Sequence, residues 1–382
     1  MSKQLQTSIV LSTLLTFTTG ALAAPNPPRG APSQPQPRSQ TPSKHVDLVI
    51  AIDTSSSMDG LIDSARGKLW DVVNLLGQAK PQPILRVGLI SYGNTSHNAQ
   101  QGWVKKEIDL TSDLDKVYSK LFELRTSGGE EYVARAVTVA TNEMSWDQNQ
   151  DSLKIVFVAG NESASQDPKI SLETAIGDAS QKGILVNTIY CGNARNSEAN
   201  GWAQVATMGH GKYASIDHNN IVAVNTPYDS ELGALNGQLN KTYVAYGSHG
   251  GEGLAMQAAQ DKNATATSAP AAASRVAAKG SGLYSNENWD LVDARKKGKS
   301  VKDMPVAAMP AEMKPMTAVQ REKFVDEKTK ERDQIQQRIA EVSKKREQFI
   351  KTERSKSGGP ANLDDAMKSA VQPAAEAAGF AF

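Results

Sequence analysis

The residues most able to do chemistry stand together at Asp53-Thr54-Ser55-Ser56-Ser57. A carboxylate and two hydroxyls recur at alternate positions, where an apolar run gives way to a helical pattern. Alternation through a tight turn directs three oxygen-bearing side chains to one point, and oxygen-only ligation suits a hard cation such as Mg²⁺. A helix N-terminus by itself favours an anion, so the Asp53 carboxylate is needed to hold a cation there. The alternative is that the serines only cap the following helix.

The elements that position this loop can be read from the apolar patterns around it. HVDLVIAID (45–53) is nearly continuous and rich in Val and Ile, which is typical of a strand buried on both faces. Three further runs are of the same kind: LRVGLISYGN (85–94), KIVFVAGN (154–161) and LVNTIYCG (185–192). Segments whose apolar residues have helical spacing separate these runs. A more polar strand at 102–113 is expected at the sheet edge. Strands alternating with helices predict an α/β fold, a Rossmann-like, doubly wound sheet with helices on both faces. Functional sites of such sheets lie at the carboxyl ends of the strands.

Residues 46–220 resemble a von Willebrand factor type A (vWA) domain. DTSSS matches the metal-ion-dependent adhesion site (MIDAS) of that family in form and in place, and the order of elements agrees. The resemblance implies a divalent ion at the upper edge of the sheet, held by an Asp and two Ser, with a Thr of a later loop and an Asp after the fourth strand. A carboxylate of a partner protein then fills an open coordination position. The implied activity is binding, without catalysis.

This chain departs from the family pattern in two loops. After the strand KIVFVA the family usually has Asp-Gly, but here Gly160-Asn161-Glu162 follows. Where a Thr is expected after Gly-Gly, this chain has Glu130-Glu131. We hypothesise that Glu131, or Glu130, replaces the lost carboxylate. The alternative is a degenerate site without metal.

Thr126 lies a few residues before the position of the expected Thr. The complete predicted ligand set is Asp53, Ser55, Ser57, Thr126 and Glu131. The expected ion is Mg²⁺, with Mn²⁺ or Ca²⁺ as alternatives.

The rest of the chain divides by composition. The N-terminus has a basic head (Lys3), an apolar stretch from Ile9 to Leu15 and Ala21-Leu22-Ala23, the pattern of a cleaved signal peptide. No Cys follows it, so no lipid anchor is expected, and the chain is predicted to be periplasmic or secreted. The C-terminal region looks like that of exported bacterial proteins built on the same domain.

The predicted divisions are a signal peptide at 1–24, a Pro/Ser-rich disordered spacer at 25–44, the vWA domain at 45–248, an Ala/Gly/Ser-rich linker at 249–316, a charged helix or short coiled coil at 317–356 and a disordered tail at 357–382.

Composition narrows the function classes. There are 42 Lys and Arg against 41 Asp and Glu, and this balance does not indicate a nucleic-acid binder. The single cysteine, Cys191, excludes an intramolecular disulfide, and none of the five histidines has metal-ligand spacing on one element. No integral membrane segment is expected in the mature chain. We therefore predict an exported, non-enzymatic protein that binds a carboxylate-presenting partner through the ion, with self-association through 317–356 as a further expectation. The alternative is an envelope scaffold acting through its C-terminal helix, with a metal-free vWA platform.

Overall fold

The computed structural model describes residues 44–217, 224–357 and 363–382. The predicted signal peptide and all but the last residue of the predicted spacer lie outside these residues. The six strands form one sheet in the order β3-β2-β1-β4-β5-β6, in which only β3 is antiparallel to its neighbour. Their bounds are β1 His45–Asp53, β2 Ile84–Tyr92, β3 Val104–Thr111, β4 Leu153–Gly160, β5 Ile184–Cys191 and β6 His210–Ile216. The predicted α/β sheet and its polar edge strand are confirmed.

Helices cover both faces of this sheet, as predicted. Alternate residues of β1 point to opposite cores, with Leu48 and Ile52 on one face and Val49 and Ala51 on the other. The helices that follow the strands are α1 Asp59–Gln78, α2 Leu114–Glu123, α3 Val133–Glu143, α4 Leu172–Gln181 and α5 Ser197–Met208. The first two pack on the face of Leu48, and the other three pack on the opposite face.

The described residues from 224 onward form six more α-helices. They are α6 Asp229–Asn240, α7 Gly250–Thr267, α8 Ala269–Gly280, α9 Leu291–Lys296, α10 Ala318–Ser357 and α11 Leu363–Ala377. No helix in the described ranges combines the length and the apolar character that crossing a bilayer requires.

The predicted linker at 249–316 is wrong for residues 250–280. These residues form α7 and α8, because alanine is a strong helix former and its small side chain lets helices approach closely. Arg275 and Lys279 of α8 are buried and paired: Arg275 Nη1 lies 2.6 Å from Asp115 Oδ1 of α2, and Lys279 Nζ lies 2.9 Å from Asp261 Oδ2 of α7. The first ion pair joins α8 to α2 beside the sheet, and the second joins α8 to α7.

The predicted disordered tail is also wrong where the structure describes it. Helix α11 is a third helix on the α1–α2 face of the sheet, and its buried stripe has helical spacing: Leu363, Ala366, Met367, Ala370, Val371 and Ala375. Beyond it Phe380 is buried, and Ala381 forms an antiparallel bridge with Lys80. Half of the stripe is alanine, so its hydrophobicity gave little signal in the sequence. This face of the sheet is thus completed by a helix far along the chain from its last strand.

Helix α10 is the predicted long charged helix, but the structure does not use its stripe as a coiled coil. Its buried positions between 321 and 346 are spaced by three, four or seven residues: Arg321, Val325, Arg332, Ile335, Ile339, Val342 and Arg346. The three aliphatic residues from Ile335 to Val342 pack in a cluster with residues of α6 and α8. Arginines at buried positions concealed this pattern in the sequence. Arg332, for example, is paired inside the protein with Asp290 at 2.6 Å and with Asp293 at 2.9 Å.

Candidate functional site

The DTSSS loop lies where the sheet order reverses. Strand β1 has β2 on one side and β4 on the other, so the carboxyl ends of these three strands meet beside Asp53. Asp53 is the last residue of β1 and is fully buried. Its Oδ1 accepts a hydrogen bond of 2.8 Å from the backbone N–H of Ser55, and the hydroxyls of Ser55 and Ser57 are 3.3 Å apart. The structure therefore brings together the three alternating residues, as the pattern predicts.

Glu131 joins this cluster from the loop that precedes α3. Its side chain is buried and lies against both Asp53 and Ser55. Two glycines allow the approach. A Cβ on Gly129 would lie 2.8 Å from the carbonyl of Gly93, and a Cβ on Gly93 would lie 2.8 Å from Asp53 Oδ1 and 2.9 Å from Glu131 Cγ. Gly93 also has a φ of +72°, which favours glycine.

Three oxygens of this cluster are buried and have no hydrogen-bond donor among the described residues. They are Asp53 Oδ2, Glu131 Oε2 and Asn161 Oδ1. Burial, together with the neighbouring charge of Asp53, raises the pKa of Glu131 to about 9. Burial raises the pKa of Asp53 to about 6. Two adjacent buried carboxylates, each with one oxygen that lacks a donor, are stabilised by a shared proton or by a cation. The donor set, which consists only of oxygens, fits a hard divalent cation.

Two other predicted residues lie differently. Thr126 donates its hydroxyl hydrogen bond to Asp59 Oδ1 at 2.6 Å, at the start of α1, so among the described contacts its partner is outside the cluster. Glu130 is exposed, whereas Glu131 is buried, which decides between the two glutamates in favour of Glu131.

The missing carboxylate at Gly160 has a steric explanation. A Cβ on Gly160 would lie 2.4 Å from the hydroxyl of Tyr92, 3.1 Å from Asp53 Oδ2 and 3.1 Å from the ring of Trp202. That hydroxyl is fixed, because it donates to the carbonyl of Ala159 at 2.9 Å. The space beside Gly160 is therefore filled, and no side chain fits there without rearrangement.

Three polar residues around the site were not predicted from the sequence. Asn94 is buried and joins two loops, since its Nδ2 donates to the carbonyls of Thr54 and Arg125 at 3.2 and 2.8 Å. Tyr92 fills the space beside Gly160, as described above. Asn161 carries one of the unsatisfied oxygens. Its position directly after β4, in the loop where the family has its second carboxylate, was the available signal.

A second cluster contains a serine, a histidine and a glutamate in hydrogen-bond contact. Ser91 of β2 is fully buried, and its hydroxyl donates to Glu107 Oε1 at 2.7 Å and lies 2.8 Å from His97 Nε2. A serine nucleophile must instead be reachable and must give its proton to the histidine. This cluster joins β2 to β3 and does not activate Ser91.

The family model of the von Willebrand factor type A domain matches residues 47–224. Residues 47–224 are therefore assigned to this domain. The predicted resemblance is confirmed.

Among solved structures, the chain is similar to proximal thread matrix protein 1 from the mussel byssus, with 13% identity, a TM-score of 0.36 and coverage of 47% of this chain and 43% of that chain. The same mussel protein with a zinc-occupied MIDAS motif has 12% identity, a TM-score of 0.37 and the same coverages of 47% and 43%. The pilus adhesin SpaC from Lactobacillus rhamnosus GG has 15% identity, a TM-score of 0.34 and coverage of 47% of this chain and 28% of that chain. The chain thus spans less than half the length of each of these structures. No curated protein matches it.

Proposed function

We propose that this chain is a non-enzymatic binding protein whose type A domain engages a protein partner through a divalent cation. The residues that would hold the ion are Asp53, Ser55, Ser57 and Glu131. The observation that carries the proposal is the pair of buried carboxylates, each with one oxygen that has no donor, at the strand ends where sites of this sheet type lie. Without an ion, the raised pKa of Glu131 keeps a proton on this pair of carboxyls at neutral pH, and a bound cation would take the place of that proton.

The ion would supply a Lewis-acidic position for an oxygen of the partner. Oxygen donors favour Mg²⁺, and Mn²⁺ and Ca²⁺ accept the same donors. The proposed partner group is a carboxylate. Two features support surface access: Ser56 and Ser57 of the loop are exposed, and so is Glu162 beside it.

Export to the periplasm or the exterior is part of the proposal and rests on the sequence of residues 1–24, which lie outside the described ranges. The scaffold alternative is less well supported. Ile335, Ile339 and Val342 are aliphatic residues of α10 that a coiled coil would use, and they are already buried within this chain.

Partner capture tests the proposal directly. With the full chain as bait, we expect a captured protein to be lost both when a chelator replaces Mg²⁺ and when Asp53 is replaced by alanine. An Asp59→Ala bait is the matched control, because Asp59 is a carboxylate near the site that contacts Thr126 and not the cluster. Capture that survives both the chelator and Asp53→Ala would contradict the proposal and favour the scaffold alternative.

A further inference from the structure

The loop after β4 contains an unassigned polar group that faces the cluster. Asn161 directly follows Gly160, the last residue of β4, and its Oδ1 is buried without a donor. Its Nδ2 lies 3.1 Å from the hydroxyl of Ser57 and donates to it. The carboxamide is therefore held at the cluster by one end while its oxygen remains unsatisfied.

The position of this loop is fixed on both sides of Asn161. On one side, Gly160 is packed against Tyr92 and Trp202. On the other, the carbonyl of Glu162 accepts a hydrogen bond of 2.7 Å from Trp202 Nε1. The aromatic residues thus hold the backbone around Asn161, which directs its side chain to the ends of β1 and β4.

We infer that Asn161 Oδ1 is a further ligand of the divalent cation, replacing with a neutral oxygen the carboxylate that cannot stand at position 160. This inference rests on the proposed function, since it assigns one more oxygen to the same ion. The site then has two carboxylates from Asp53 and Glu131, hydroxyls from Ser55 and Ser57, and one amide oxygen. Amide carbonyls are ordinary ligands of hard cations, and they add an oxygen without adding charge.

An alternative role for Asn161 is to position Ser57 through the hydrogen bond from Nδ2. The two roles respond differently to substitution. Asn161→Asp keeps an oxygen at the site and removes the Nδ2 donor. If Asn161 is a ligand, the Asn161→Asp variant should bind the ion more tightly, because affinity in such sites follows the number of ligand charges. If Asn161 only positions Ser57, the variant should bind the ion equally or less tightly.

The test is calorimetric titration of Mg²⁺ into the full chain and its variants at one pH and salt concentration. We expect Asn161→Ala to weaken binding by about tenfold and Asn161→Asp to tighten it by about tenfold, as expected for removing or charging one ligand. Ser163→Asp places the same charge two residues away in the same loop and controls for long-range attraction. It should change the affinity by less than about threefold, because salt screens an exposed charge. Circular dichroism of each variant establishes that it is folded.

The outcomes separate this inference from the function on which it rests. If wild type binds Mg²⁺ and Asn161→Ala binds it with the same affinity, Asn161 is not a ligand, and the ion site itself still stands. Weaker binding in both Asn161→Ala and Asn161→Asp would assign Asn161 to positioning Ser57. If Ser163→Asp and Asn161→Asp raise the Mg²⁺ affinity equally, the effect comes from long-range attraction, and the assignment of Asn161 as a ligand is overturned. A wild-type chain that binds no ion would overturn both proposals.

Discussion

Deleting residues 363–382 is expected to unfold the type A domain, although this segment lies more than a hundred residues beyond the end of its last strand. Helix α11 covers part of the apolar face of the sheet next to α1, and Leu363, Met367 and Val371 are buried there. Burying a side chain of this size contributes about 1.5–3 kcal/mol. Three of them, with the alanines between them, account for much of the roughly 5–15 kcal/mol by which a domain is stable.

Thermal unfolding followed by circular dichroism measures this effect. Met367→Ala by itself should cost about 2–5 kcal/mol, the usual range for a large residue replaced by alanine in a core. The matched control replaces Ser369 and Glu376, which lie on the exposed side of the same helix, by alanine and should leave the melting temperature almost unchanged. A truncated chain that melts cooperatively at the wild-type temperature would show that α11 is not part of the domain's core.

Replacing Glu131 with glutamine is expected to make the ion-free protein more stable at pH 8 and to weaken Mg²⁺ binding. The pKa of Glu131 is raised from its ordinary value of 4.5 to about 9 in the folded protein, because the carboxyl is buried next to Asp53. The folded state therefore holds the proton more tightly than the unfolded state does. Protonation of Glu131 therefore stabilises the folded state fully below about pH 4.5, and this stabilisation is lost as the pH rises towards 9.

Urea unfolding in a chelator at pH 5 and pH 8 tests this prediction. Wild type should lose stability between the two values, because its Glu131 must take up a proton on folding, and Glu131→Gln should exceed wild type at pH 8 by up to about 4 kcal/mol, at about 1.4 kcal/mol per pH unit. At pH 5 the two proteins should differ little, because most of the wild-type Glu131 is then protonated. Glu130→Gln is the control, since Glu130 is its exposed neighbour and should follow wild type at both values. Identical profiles for wild type and Glu131→Gln would show that Glu131 is not held next to Asp53.

The sequence was most informative where buried positions are occupied by large aliphatic residues. The strands β1, β2, β4 and β5 are rich in Val, Ile and Leu, and their order with the intervening helices specified the sheet and the place of the DTSSS loop. The helices beyond the sheet were harder to predict, because their buried positions hold residues that are usually exposed or weakly apolar. Three basic residues are buried because they pair with aspartates: Arg275, Lys279 and Arg332. A periodic hydrophobic pattern does not predict burial of this kind.

Only the part of the candidate site that lies in the DTSSS loop could be predicted from the sequence. Asp53, Ser55 and Ser57 are close in sequence, so their spacing alone indicates that they converge. Glu131 and Asn161 reach the same point through the packing of separate loops. That packing depends on Gly93, Gly129 and Tyr92, whose roles are visible only when the strand ends are placed side by side.

If the ends of β1 and β4 hold a divalent cation, calorimetric titration of Mg²⁺ into the full chain should detect it. We expect saturable binding with one ion per chain, and loss of that binding in a folded Asp53→Ala variant. Wild-type protein that takes up no Mg²⁺, Mn²⁺ or Ca²⁺ at pH 8, or an Asp53→Ala variant that binds as wild type does, would contradict it.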